Sequence, residues 1–411
     1  MTETQVQTLL VLGLDVVALA TSAKKADYQV YAVDYFGDRD LTHICKENYS
    51  ILKQRPGKTC GRLSRDFRPT FFLKLVRKLL KRRSMDGVLL SSGLDDSTDV
   101  LSEINDLVPI LGNSVKVIAE VRDKIEFFRR LERSNIACPR TAIVRDISEM
   151  RRRSKDIGYP ILIKPAEGFG GAGIRKARNF QELKKVYKHF YSFENKVLVQ
   201  EYIPGTPASV SFMSCNGRAV TLSLNEQLLG IRELGQTEPF GYCGNIVPLK
   251  IDEVTMKKCV VIVENLALHF NLVGSNGVDL VITEEGIPYV VEVNPRFQGT
   301  LECIERVFGI NIVDTHVKAC LRGILPQIRQ KTMTFCTRLI FYAPQRLVAP
   351  NLNCFEQVKD IPLPGVIIEK DEPVCSIVTE GGSRNSALDE AKRIARLIYE
   401  LASPKINDES M

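Results

Sequence analysis

The sequence lacks the marks of several protein classes. Its eleven cysteines are odd in number and stand singly, with no Cys-x-x-Cys pair. That spacing fits reduced thiols and excludes a zinc ribbon or a disulfide framework. No apolar run approaches the ~20 residues a membrane-spanning helix requires. The N-terminal stretch MTETQVQTLLVLGL carries an acid and no base before its apolar run, so it reads as a buried strand, not a signal peptide. The four histidines (His43, His189, His269, His316) lack ligand spacing and read as structural. No Gly-Lys-Ser/Thr follows the glycine-rich run at 168–173, so that run is not a Walker A loop, and no Gly-x-Ser-x-Gly elbow is present.

Basic charge is what the chain has, and it is local. The net charge is +7, yet residues 51–85 alone carry twelve Lys/Arg against Asp66, so the remainder is mildly acidic. This distribution argues against a nucleic-acid binder and leaves a solvated face or an anionic acceptor as readings of the patch. With 411 residues the chain accommodates two or three units.

TLLVLGL, a helical stretch from Asp15 to Ala26 and YQVYAVDY ending at Asp34 form a Rossmann-like opening. The dinucleotide fingerprint is missing, because Gly13 is followed by Leu-Asp-Val-Val. The β-α-β rhythm continues through a helix over 70–83 and the strand DGVLLSSG to about residue 112. The spacing predicts one helix over 115–134, with Val121, Ile125, Phe128 and Leu131 as its stripe. The stretch 229–246 reads as Gly-rich and less regular; Glu226 and Arg232 lie in the polar stretch NEQLLGIRELG, and Tyr242, Gly244 and Asn245 in a loop, FGYCGN. A helix closes the chain at 387–402.

Two segments carry chemistry. Lys164 ends a strand that enters Glu167-Gly168-Phe-Gly170-Gly171-Ala-Gly173, and another strand follows. Such a loop lets backbone N–H groups approach phosphate oxygens, with Lys164 supplying an ammonium; an ordinary hairpin with an exposed Lys is the alternative. Downstream, GVDLVITEEGIPYVVEVNPR reads as a hairpin turning near residue 285, which sets Asp279 opposite Glu292 with Cβ atoms ~5 Å apart. Asn294 shares the Glu292 face. A solvated strand face is the alternative, but two carboxylates and an amide oxygen in an otherwise apolar sheet favour a cation between them, and this hard oxygen set suits Mg²⁺, or Mn²⁺ in its place.

Taken in order, RDK (122–124), ILIKPAEGFGGAGI (161–174), VLVQEYIPG (197–205), GVDLVI (277–282) and VVEVNPRFQGT (290–300) resemble the ATP-grasp superfamily of biotin-carboxylase-like, carbamoyl-phosphate-synthase-like and carboxylate–amine ligase proteins. The resemblance implies an α/β and α+β chain of three units. These are a Rossmann-like pre-ATP-grasp domain (1–112), a two-lobed ATP-grasp domain (113–325, small lobe about 140–200) and a β-rich C-terminal extension with a terminal helix (326–411). It implies that Lys124 and Lys164 hold ATP phosphates under the loop Glu167–Gly173. Gln200, Glu201, Tyr202 and Ile203 would form the adenine hinge, Asp279, Glu292 and Asn294 would hold Mg²⁺, and Arg296 would stabilise the transferring phosphoryl group. Many members carry a ribose-contacting Glu where this chain has Pro207. Arg232 and Gln298 are candidate substrate residues.

The implied reaction activates a small carboxylic acid as an acyl phosphate and joins it to an amine. A carboxylating or carbamoyl-forming reaction on bicarbonate is the alternative, and a non-catalytic ATP-binding sensor a third reading. A cytoplasmic location and a homodimer, common among such enzymes, complete the expectation.

Overall fold

In the computed structural model the described residues are 6–59, 67–166, 168, 170–190, 197–328 and 334–402. Glu167 and residues 60–66 of the basic stretch therefore lie outside the described residues, as does the side chain of His189.

Parallel strands open the chain. β1 (Thr8–Gly13), α1 (Val17–Lys25), β2 (Gln29–Asp34), α2 (Leu41–Ile44), β3 (Glu47–Ser50), α3 (Thr70–Leu80), β4 (Gly87–Leu90) and α4 (Thr98–Leu107) follow one another. The strands pair in the order β3-β2-β1-β4, all parallel. Both faces are covered, so β1 reads as a continuous apolar run. A Cβ on Gly13 would come within 2.8 Å of Ser92 O, so this glycine serves close packing of the strand ends. On α3, Phe72, Val76 and Leu79 are buried, while Leu75 and Leu80 pack at the margin.

The single helix expected over 115–134 is two: α5 (Val115–Arg122) and α6 (Lys124–Arg133). Asp123 breaks them, with extended ψ of 91°, and its side chain accepts hydrogen bonds from Ile125 N and Glu126 N as the cap of α6. Ile125, expected in the apolar stripe, is instead exposed.

The next unit is a four-stranded antiparallel sheet of order β5-β8-β6-β7. It contains β5 (Thr141–Val144), β6 (Ile161–Pro165), β7 (Arg175–Ala177) and β8 (Val197–Glu201), backed by α7 (Ile147–Ile157) and α8 (Phe180–Phe190).

An eight-stranded sheet dominates the rest. β9 (Thr206–Cys215), β10 (Arg218–Leu229), β11 (Tyr242–Val247), α9 (Glu253–Phe270), β12 (Gly274–Ile282), β13 (Pro288–Asn294), α10 (Leu301–Phe308) and α11 (Ile312–Arg322) come first. β14 (Phe335–Tyr342), β15 (Leu347–Val348), β16 (Val358–Lys359), β17 (Ile367–Ile368), β18 (Pro373–Gly381) and α12 (Arg384–Ala402) follow. The order β13-β12-β9-β10-β11-β14-β18-β16 carries the sheet without interruption past residue 325. The C-terminal segment thus extends the central sheet through the β11–β14 pairing. Glu226, read as part of a polar stretch between lobes, lies on β10, and Tyr242, Gly244 and Asn245 lie on β11, where a loop was expected. Pairing with β10 on one edge and β14 on the other holds β11 extended despite its glycine. His316 is buried, accepting from Ser275 N at 2.8 Å and bonding Leu111 O at 3.0 Å. Burial pushes its imidazole down to about 4, which matches a structural histidine.

Asp123→Ala should remove both cap bonds and lower stability by about 1 kcal/mol, read by urea unfolding. An unchanged midpoint would show that Asp123 does not hold the break.

Candidate functional site

The hairpin builds the centre. β12 and β13 pair with Asp279 directly across from Glu292, the register that turn symmetry requires. Val278, Leu280, Val290 and Val293 lie in the core behind them, so the alternating acids point to the other face. Asp279 Oδ1 accepts from Gln227 Nε2 at 2.7 Å, and Oδ2 from Asn294 Nδ2 at 3.1 Å. Burial and the facing Glu292 push the Asp279 carboxyl up to about 6.

Glu292 is treated differently by its neighbours. Its Oε1 accepts from both Arg122 Nη1 and Lys124 Nζ, the latter at 2.8 Å. Burial alone would raise its carboxyl, but these cations outweigh burial and hold it well below the usual range. Arg122 is clamped on its other edge by Asp96, with contacts of 2.5 and 2.8 Å. Lys164 Nζ bonds Gln200 Oε1 at 2.8 Å, and Gln200 Nε2 bonds Thr141 Oγ1 at 2.8 Å. Burial, then the neighbouring Lys124 charge, brings the Lys164 ammonium down to about 8.

Arg296 leaves the end of β13 and is fixed at three points. Its Nε meets Asp95 Oδ2 at 2.7 Å, its Nη2 meets Asn294 Oδ1 at 3.1 Å, and its Nη1 meets Phe297 O at 3.0 Å. Gln298 Nε2 folds back onto Arg296 O at 2.7 Å. The strand β8 ends at Glu201, which pairs with Arg140; Lys176 sits over the Tyr202 ring, and Ile203 leads out of the strand. Gln200 points inward to Lys164, so this hinge stretch offers its backbone and one buried amide.

The glycine loop follows β6. Gly168 N–H bonds Asp96 Oδ2 at 3.4 Å, Gly173 N–H bonds Glu238 Oε2 at 3.1 Å, and Gly170 O accepts from Tyr242 N at 2.9 Å. A Cβ on Gly171 would lie 2.0 Å from Phe240 O, and its φ is +73°, so only glycine fits there. Pro207, second residue of β9, pairs with Val281 at the position where the ribose Glu was expected.

The site therefore assembles Lys124, Lys164, Gln200, Asp279, Glu292, Asn294, Arg296 and Gln298. It does not gather Arg232, which stands exposed on a turn against α12, where neighbouring Glu233 pairs with Lys392. Glu226 is likewise engaged by Arg384 at 2.7 Å. Sequence reasoning missed Asp95, Asp96, Gln227 and Glu238. The first two follow Ser-Ser-Gly at the carboxyl end of β4, a place where parallel sheets present functional groups.

Among the described residues no three His, Cys, Asp or Glu side chains cluster as a metal group. The donor set is two half-buried carboxylates and the Asn294 amide, and both cations on Glu292 use Oε1, leaving Oε2 without a hydrogen-bond partner among the described residues. Asp279 is raised by burial first and by the facing Glu292 charge second. These residues fit Mg²⁺, which takes one or two carboxylates and completes its shell with water and phosphate.

A family model described as an ATP-grasp domain matches residues 121–300. An uncharacterized protein of Methanocaldococcus jannaschii is 25% identical over 393 residues, covering 95% of this chain and 91% of that protein. The carbamoyl phosphate synthase large chain of Archaeoglobus fulgidus is 26% identical over 260 residues, 62% of this chain; the match spans only 24% of that longer protein. The biotin carboxylase domain of Hydrogenobacter thermophilus 2-oxoglutarate carboxylase, solved with MgADP, ADP and bicarbonate, superposes with a TM-score of 0.74 at 19% identity, covering 97% of this chain and 91% of that one.

Asp279 keeps its proton in the fold at pH values where the unfolded chain releases it. The stability this group contributes is full below its ordinary value of 3.8 and declines as pH rises to about 6. Asp279→Asn should flatten that decline in thermal melts of the metal-free protein between pH 4 and 6. A wild-type slope in the variant would show that Asp279 does not titrate there.

Proposed function

We propose, on the premise that this chain is a member of the ATP-grasp superfamily, that it is an ATP- and Mg²⁺-dependent ligase joining a small carboxylic acid to an amine. The observation that carries this reading is the paired Asp279 and Glu292, flanked by Lys124, Lys164 and Arg296. Phosphoryl transfer depends on positioning and charge neutralisation more than on covalent help from the protein. When bound, Mg²⁺ would neutralise phosphate charge at Asp279, Glu292 and Asn294. Lys124 and Lys164 hold the phosphates, and the amides of Gly168–Gly173 receive their oxygens. Arg296, locked by Asp95 and Asn294, presents its guanidinium to the transferring group without having to reorganise. The backbone of Gln200–Ile203 takes the adenine. Glu167 belongs to this loop by position in the sequence.

The carboxylate so activated then receives the amine. Gln298, held on Arg296 O, lines the acceptor side, and Arg232, outside the assembled site, is given no part in the reaction. A second reading, carboxylation through bicarbonate, is favoured by the whole-chain likeness to a biotin carboxylase domain. We read the units as 1–112, 113–325 and 326–411, since separate sheets serve the first unit and the small lobe. No helix among the described residues is long and apolar enough to cross a membrane. Ten described cysteines, all free, support a reducing, cytoplasmic setting.

ADP release measured against panels of acids, amines and bicarbonate tests the reading. Turnover should require an acid and an amine together, and bicarbonate-stimulated turnover without an amine would select the second reading. Asp279→Ala and Glu292→Ala should each lower turnover by about 10²-fold or more, and Arg296→Ala by about 10²–10³-fold. Undiminished turnover in the carboxylate variants would remove the metal assignment.

A further inference from the structure

The two oxygens of Glu292 are used unequally. Oε1 accepts from Arg122 Nη1 and Lys124 Nζ, while Oε2 accepts from nothing among the described residues. A carboxylate offers about four lone-pair positions, two on each oxygen, so Oε1 is full and Oε2 is open. The division runs against the ordinary preference of such a pair. The Nη1–Nη2 end of a guanidinium matches both oxygens of a carboxylate, and the two-bond pairing is the stronger one. Left to itself, Arg122 would take both oxygens.

Asp96 prevents this. Arg122 Nε meets Asp96 Oδ1 at 2.5 Å, and Nη2 meets Oδ2 at 2.8 Å. Nη2 is thereby spent, and only Nη1 remains for Glu292. With 8% of its side chain exposed, Arg122 is divided between these two acids and not shared with solvent. Asp96 stands in a closed turn. Gly93, with φ of +105°, turns the chain after β4, and a Cβ there would lie 2.4 Å from Leu14 Cγ. Leu94 is buried, and Ser97 N bonds Leu94 O at 2.9 Å. The remaining contact of Asp96, Gly168 N at 3.4 Å, is too long to compete with the guanidinium.

A divalent ion that bridges protein and phosphate needs a carboxylate oxygen not already taken by a cationic side chain. Oε2 is such an oxygen, and Oε1 is not. We propose that Asp96 is a positioning residue for the metal: by holding the Nε–Nη2 edge of Arg122, it reserves Glu292 Oε2 for the ion. The inference rests on the Mg²⁺ reading above. It adds to that reading a carboxylate from the first sheet that acts only through Arg122.

Calorimetric titration of ADP into the full chain, once with excess Mg²⁺ and once with EDTA, gives the factor by which the ion tightens nucleotide binding. Asp96 also lies beside the glycine loop, and a ratio cancels its direct effect on the nucleotide. Asp96→Ala should lower the factor by about 10-fold or more, the loss typical of groups behind metal ligands. Asp96→Asn should lower it less, because its amide oxygen still accepts one of the two bonds. Combining Asp96→Ala with Arg122→Met should restore the factor, since the competing fork is gone; a purely structural defect would not be relieved by a second substitution. Glu292→Ala is the reference. A factor that survives Glu292→Ala removes the metal reading and this inference with it. A factor abolished by Glu292→Ala but kept in Asp96→Ala, or a double variant as weak as Asp96→Ala, overturns the inference alone.

Discussion

Two cations converge on one oxygen of Glu292, and three separate segments meet through that contact. Arg122 ends α5, Lys124 begins α6, and Glu292 sits on β13. In one unbroken helix, residues two apart point about 200° away from each other and could not share an acceptor. The break at Asp123 solves this problem, and the same side chain caps the helix that the break creates. Because burying ions offsets much of their attraction, the arrangement is better understood as positioning than as a store of stability. Its result is a pair of neighbouring acids with opposite tendencies: Glu292 stays ionised, while Asp279, lacking a cation of its own, is pushed toward neutrality.

The glycine loop obeys the same electrostatic logic. Its Gly168 and Gly173 amides bond the carboxylates of Asp96 and Glu238, and Arg175 bonds Glu238 as well. Backbone amides that close on carboxylate oxygens are shaped to receive anions, and the lysines nearby add to the same field. Asp96 also grips Arg122, so the loop, the α5 end and the first sheet are coupled through one side chain.

What the sequence revealed was local. The Asp279–Glu292 register follows from a hairpin and its turn, which pair residues close in the chain. The Rossmann-like opening and the buried face of α3 follow from periodicity. The break at Asp123 was harder to see, because the apolar spacing of α5 and α6 joins into one plausible stripe; only the cap residue distinguishes them. The partners of Arg122 and Arg296 were invisible for another reason. Asp96 and Asp95 lie 26 and 201 residues away from them, and nothing in a local pattern announces an ion pair across that distance. β11 was missed because its extended form is imposed by pairing with β10 on one side and with β14, about a hundred residues downstream, on the other, and not by its own Tyr-Cys-Gly-Asn sequence.

A second buried arginine explains why the C-terminal segment is part of the central sheet. Arg338 on β14 is almost fully enclosed, and its Nη2 reaches Asp15 at 2.5 Å, Asp360 at 2.9 Å and Ser376 at 2.9 Å. Asp15 comes from the end of β1, Asp360 follows β16, and Ser376 lies on β18. Arg296, reaching Asp95 after β4, makes a comparable tie from the end of β13. Two guanidinium groups from the central sheet thus grip two neighbouring strand ends of the first sheet. Each grip leaves a buried charge uncompensated if it opens, a cost far larger than a lost surface contact. The first sheet is thereby held with its carboxyl edge against the acids of β12 and β13, and that is how residues 95 and 96 come to complete a site whose centre lies two hundred residues further on.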